Sequence, residues 1–185
     1  MTYNVYTDGS FIAKENRFGL GFLIPDLNLV KQGLPCENLQ PFGYTIDIRN
    51  LGNDFIKSRN ILGEVLASMI AIQKVKKANP QCEVIVNYDY SGVEKWITGE
   101  WKANNDLSQM YVVWFNWNNL RDTVKFNHTK AHTNDAGNNL ADMYARSGQD
   151  GIIQPRIECK EVNGKDIFNL VLRTEDEEVR CGFSY

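Results

Sequence analysis

The chain has 185 residues, a net charge of −3 and 43% hydrophobic residues, with four Trp, eight Tyr and nine Phe. That aromatic content excludes a disordered chain, and no apolar run approaches the ~20 residues of a membrane span. The length fits one domain with an appendage, and the mild acidity argues against nucleic-acid binding through overall charge, so local basic clusters or bridging metals would have to supply it.

The N-terminus leads directly into a strand-like run without an apolar signal core, so a cytoplasmic location is expected. Cys36, Cys82, Cys159 and Cys181 lie far apart with no C-x-x-C pair, which argues against a structural zinc site.

The first element is a strand over residues 3–10, where Tyr3, Val5 and Thr7 alternate with Asn4, Tyr6 and Asp8. Asp8 is a carboxylate at the end of this run, and Gly9-Ser10 reads as a turn after it. Strands are expected over residues 18–24 and 42–48, making an antiparallel meander, with loose segments between and a polar loop over 50–59. Residues 61–78 form the clearest helix, with Leu62, Val65, Leu66, Met69 and Ile72 on one stripe. Glu64 falls in its first turn and shares a face with Ala67, Ser68 and Ala71, a small-residue face suited to close approach to a sheet.

Residues 83–88 read as a central strand ending at Asp89. A short helix over 92–98 follows, capped by Ser91, then an aromatic-rich helix over 106–120, a strand over 123–128, and a helix over 136–146 with caps among Thr133, Asn134 and Asp135. Residues 147–151 read as a linker. Beyond it, residues 157–162 and 167–172 flank Asn163-Gly164, a strong hairpin signal, and an acidic loop over 174–178 precedes a strand over 179–183. The expected division is 1–147 for the main domain and 148–185 for a C-terminal extension.

Four acids stand out in this order. Asp8 and Asp89 both end strands that become neighbours if a helix crosses over between parallel strands, and open sheets place ligands at such ends. Glu64 is on the crossover helix. Asp142 is on the last helix, on the same face as Asn138. Each acid alone has a simpler explanation as a turn, cap or surface residue. Together, four converging carboxylates repel one another without cations, and their hard oxygens suit Mg²⁺ or Mn²⁺. Two such ions roughly 4 Å apart can activate water and stabilise the leaving oxygen of a phosphodiester. His132, on the loop before the last helix, is placed to move a proton near neutral pH; His128, among strand neighbours, reads as structural.

The motifs Tyr6-Thr7-Asp8-Gly9-Ser10, Arg59-Asn60-Ile61-Leu62-Gly63-Glu64, Asn87-Tyr88-Asp89-Tyr90, and Lys130-Ala131-His132 leading to Asn138-Asn139-Leu140-Ala141-Asp142 occur in that order. The chain thereby resembles a type 1 ribonuclease H over about residues 1–147. The segment from Tyr88 to Asn104 is similar to the bacterial branch that lacks the family's basic protrusion, and residues 148–185 have no counterpart in the resemblance.

The resemblance implies an α/β fold: a mixed five-stranded sheet with helices on both faces, here followed by a β-rich extension. It implies that Asp8, Glu64, Asp89 and Asp142 bind two Mg²⁺ ions, with Mn²⁺ as a possible substitute, and that His132 aids proton transfer or product release. It implies an RNA–DNA hybrid as partner and cleavage of its RNA strand to 5′-phosphate and 3′-hydroxyl ends. Gly9, Ser10, Arg59, Asn60, Lys130 and Asn138 are the expected substrate-binding residues, with Lys57, Lys95 and Lys102 as further phosphate contacts; Asn60 can equally serve as the N-cap of the Glu64 helix. A monomer with no membrane partner is expected. The alternatives are a metal-dependent DNA nuclease and a hybrid-binding module without activity.

Overall fold

The computed structural model describes residues 1–129, 135–162, 165–173 and 178–184; side chains at 157, 159–162, 165–169 and 178–184 are left aside. In chain order the elements are β1 (Thr2–Ile12), β2 (Arg17–Pro25), α1 (Leu27–Lys31), β3 (Leu39–Ile46), α2 (Asn53–Lys57), α3 (Asn60–Ala78), β4 (Glu83–Tyr88), α4 (Gly92–Thr98), α5 (Asp106–Trp117), β5 (Val124–His128), α6 (Ala136–Ser147), β6 (Ile152–Val162), β7 (Lys165–Arg173) and β8 (Glu178–Ser184). Among the described residues no helix is long and apolar enough to cross a membrane.

One sheet runs in the order β5-β4-β1-β2-β3-β6-β7-β8. The five strands β5-β4-β1-β2-β3 are the mixed sheet expected from sequence: β1, β2 and β3 form the antiparallel meander, and β4 returns parallel to β1 after the α3 crossover. The strand period of two sends alternate β1 side chains to opposite faces. Thr7 Oγ1 meets Ser68 Oγ of α3 at 3.1 Å on one face. On the other, the Ser10 hydroxyl donates to the Ala145 carbonyl of α6 at 2.7 Å. The two helices therefore cover opposite faces. Ala67, Ser68 and Ala71 are fully buried, so the small-residue face of α3 does lie against the sheet.

Close approach of backbone explains the glycines at these seams. A methyl on Gly21 would sit 2.2 Å from the Ala141 carbonyl oxygen, and one on Gly9 would sit 2.2 Å from that of Asn60. Both helices rest directly on strand backbone, where no side chain fits.

Several local expectations are corrected. Gly9-Ser10 is not a turn: β1 continues to Ile12, with Gly9 paired to Leu20 and Ser10 to Gly19, because β2 extends its ladder beyond Asp8. The α3 helix begins at Asn60, one residue early, which moves Glu64 into the second turn. The loose segments hold the five-residue helices α1 and α2. Ser91 precedes α4 but makes no side-chain cap. The α6 cap is Asp135, whose side chain accepts from the Asn138 N–H; Thr133, Asn134 and the 174–177 loop lie outside the described residues.

The extension continues the sheet. β6 pairs parallel with β3 through Thr45↔Ile152 and Ile46↔Ile153. β6 and β7 form the hairpin around Asn163-Gly164, its two central residues lying outside those described, and β8 pairs with β7 and lies against α5. Ile153, Leu170 and Leu172 join the main core.

Candidate active site

The parallel ladder between β1 and β4 ends at Tyr6↔Asn87. Two residues further along the chain from each stand Asp8, still within β1, and Asp89, just past the end of β4. The register thus sets the two carboxylates side by side where the strands stop bonding to each other. α3 contributes Glu64 from above the same gap. Carboxylate oxygens of Asp8, Glu64 and Asp89 lie within 4.8 Å of one another.

Asp8 and Glu64 are 4% and 2% exposed. Burial, with Asp89 and Asp142 nearby, pushes the Asp8 carboxyl up to about 7, against the lowering effect of a hydrogen bond with Glu64 and of the Gly9 N–H. That N–H donates to Asp8 Oδ1 at 2.7 Å. Burial, reinforced by Asp8 and Asp89, holds Glu64 well above the usual carboxylate range. Without a cation Asp8 and Glu64 hold their protons more tightly than ordinary carboxylates, because burial disfavours their charged forms.

Asp142 lines the same open cavity of about 170 Å³, together with Gly9, Asn60, Asn138, Asn139 and Arg146. Its Oδ1 accepts from Arg146 Nε at 2.7 Å. Glu64 Oε2 is buried with no hydrogen-bond partner among the described residues. An orphaned carboxylate oxygen beside two other carboxylates fits a hard divalent cation, so the residues present suit the metal that their order in the sequence implied.

The other expected residues fall as follows. Asn60 is not the cap of α3 but its first residue. Arg59 precedes it with φ 50° and makes no side-chain cap, and Asn60 is among the residues that line the cavity. The Arg59 guanidinium lies over the Phe11 ring, 5.6 Å from its centroid. The Ser10 hydroxyl is committed to Ala145 and buried. Asn138 is buried at the cavity wall. Lys130 and His132 lie outside the described residues. His128 is on β5 as expected, its Nε2 3.0 Å from the Asp89 carbonyl oxygen.

Sequence reasoning missed Arg146 and Asn139. Arg146 stands four residues after Asp142, so the helical ion-pair spacing was its signal. It also missed a cluster just past Asp89, where the rings of Tyr90, Trp96 and Trp101 meet edge to face and Lys95 Nζ lies 5.6 Å from the Trp101 centroid.

The RNase H family model matches residues 1–150 of the chain. Among curated proteins none matches the sequence. Solved structures share the fold. RNase H1 from the halophilic archaeon Halobacterium salinarum aligns with a TM-score of 0.58 at 18% identity, covering 81% of this chain and 98% of that one. The N-terminal RNase H domain of a Mycobacterium tuberculosis protein aligns with a TM-score of 0.57 at 13% identity, covering 80% and 96%. LC11-RNase H1, isolated from compost and solved in complex with an RNA/DNA hybrid, aligns with a TM-score of 0.54 at 15% identity, covering 80% and 99%.

Proposed function

Because the chain belongs to the RNase H family, we propose that it hydrolyses the RNA strand of RNA–DNA hybrids with two Mg²⁺ ions, leaving 5′-phosphate and 3′-hydroxyl ends. The observation that carries this reading is the group of three carboxylates within 4.8 Å of one another at the end of a parallel ladder, one of them with an unpartnered oxygen. Asp8 and Asp89 are the central ligands, and Glu64 and Asp142 complete the set. Bound there, divalent ions supply the positive charge that offsets the acids and the charge developing on the phosphate.

The remaining roles belong to side chains and backbone around the cavity. Gly9 lets the start of α3 rest on β1 and so brings Glu64 close to Asp8. Asn60 and Asn138 present carboxamides at the wall, suited to sugar and phosphate oxygens; the 2′-OH is the group that separates RNA from DNA. Contacts of this kind go to backbone and sugar, so cleavage is expected to depend little on sequence. Lys95 on Trp101, Lys102, Lys57, Arg59 and Lys130 are the proposed phosphate contacts. His132 is proposed to deliver a proton or to help the product leave. The hybrid bound to LC11-RNase H1 supports the same class of partner here. A monomer working in the cytoplasm is part of the proposal.

The test is a labelled RNA–DNA hybrid incubated with Mg²⁺ or Mn²⁺, beside duplex DNA and duplex RNA. Cleavage of the RNA strand in the hybrid alone is expected, and Asp89→Asn is expected to slow it by about 100- to 1,000-fold. Cutting of DNA alone, or equal activity in Asp89→Asn, overturns the reading.

A further inference from the structure

We propose that Thr129 is a positioning residue that aims the carboxamide nitrogen of Asn138 at a phosphate oxygen of the substrate; this deepens the hybrid-cleavage reading and rests on it. Thr129 follows β5 and is buried, as is Asn138. Its N–H donates to the Tyr88 carbonyl at 2.7 Å. Its Oγ1 lies 3.0 Å from the same carbonyl oxygen and 3.2 Å from Asn138 Oδ1. A hydroxyl has one proton to give. The Tyr88 carbonyl already accepts the shorter bond from the Thr129 N–H, whereas Asn138 Oδ1 has no other donor among the described residues. The hydroxyl lies within reach of both oxygens, and turned toward Oδ1 it leaves the Tyr88 carbonyl still paired with the Thr129 N–H.

With Oδ1 turned toward Thr129, the Asn138 Nδ2 is the end left for the cavity, whose wall Asn138 shares with Asp8, Glu64, Asp89 and Asp142. The Asn138 main chain is fixed as well, since its N–H donates to Asp135 Oδ1 at 2.9 Å. Thr129 thus holds the carboxamide and Asp135 the main chain, and a neutral donor faces the carboxylates of Asp8, Glu64, Asp89 and Asp142. Its complement is an anion brought by the substrate, and a phosphate oxygen of the RNA backbone is the anion that the proposed substrate supplies.

The strand does not need the hydroxyl. Valine has equal or better strand preference and would keep the N–H bond to Tyr88. What valine would lose is the orientation of Asn138. The end of β5 also braces the metal-ligand side, where His128 Nε2 lies 3.0 Å from the Asp89 carbonyl oxygen. Thr129 thereby links the strand that carries Asp89 to the helix that carries Asp142.

The experiment compares wild type, Thr129→Val, Thr129→Ser, Asn138→Ala and the Thr129→Val/Asn138→Ala pair. Hybrid affinity is read by fluorescence anisotropy with Ca²⁺ in place of Mg²⁺, kcat and KM with Mg²⁺, and melting temperature without metal. Thr129→Val is expected to weaken hybrid binding and raise KM by about five- to tenfold, with a melting temperature within about 3 °C of wild type. Thr129→Ser is expected to restore binding, and the double variant to bind no worse than Asn138→Ala alone. Wild-type affinity in Thr129→Val, failure of serine to rescue, or additive losses in the double variant each overturn the proposal while leaving the hybrid reading intact. A wild-type protein that neither binds nor cuts the hybrid overturns the reading itself, and the role of Thr129 with it.

Discussion

Asp8 stands inside a strand, 4% exposed, with its carboxyl raised by burial from an ordinary 3.8 to about 7. A folded-state pKa above the unfolded one means that the folded protein binds the extra proton between those two values, so stability falls as pH rises through that window. The melting temperature of the metal-free protein is therefore expected to drop between about pH 4 and pH 7, and Mg²⁺ is expected to recover it at pH 8 by replacing the protons. Calorimetry in EDTA and in Mg²⁺ checks this, with Asp8→Asn as the control in which the drop shrinks. A metal-free melting temperature that climbs over the same range in wild type as in Asp8→Asn would sink the idea. The four acids were legible in the sequence because their order along the chain is informative even where each local setting is not. The detail around them was not legible. Asn60 is the first residue of α3 and not its cap, behind an Arg59 with positive φ, which no local pattern announces.

At the scale of elements, the seam between β2 and α6 is the most demanding contact. A Cβ at position 21 would meet the Ala141 carbonyl oxygen at 2.2 Å and the Ala145 nitrogen at 2.5 Å, both backbone atoms that cannot rotate away. Gly21→Ala is expected to cost about 3 kcal/mol, at the upper end for overpacking, and to lower hybrid cleavage by lifting the helix that carries Asp142. Urea unfolding and kcat measured together test it; a variant as stable as wild type would show that α6 is not held by this contact. The long helix α3 and the central strands were readable because apolar spacing is a strong signal over many residues. The helices α1 and α2, of five residues each, are too short to show a period. The Asp8-Gly9 pair carries a genuine turn preference that the ladder with β2 overrides, so a tertiary pairing decided what local chemistry left open.

For the whole molecule, the question is whether the chain beyond residue 147 is separable from the rest. Ile153, Leu170 and Leu172 are each 1% exposed and belong to the main core. Removing three such side chains forfeits about 1.5–3 kcal/mol each, which is comparable with the total stability of many domains. Truncation after Gly148 is expected to lower the melting temperature by more than about 10 °C or to prevent folding; a truncated protein that melts like the full chain would establish 1–148 as an independent unit. The hairpin within the extension was legible from Asn163-Gly164. Its attachment was not, because the parallel pairing of β6 with β3 joins Thr45 to Ile152 and leaves no mark in either segment. That seam has a consequence for synthesis on the ribosome. Strand β3 leaves the exit tunnel early, while the strand that covers its outer side is made more than a hundred residues later. In the interval the nascent chain carries an open sheet edge, the feature by which chains pair with the wrong partner. The interval is several seconds at ordinary elongation rates, and it ends only when Ile152 and Ile153 have emerged to pair with Thr45 and Ile46.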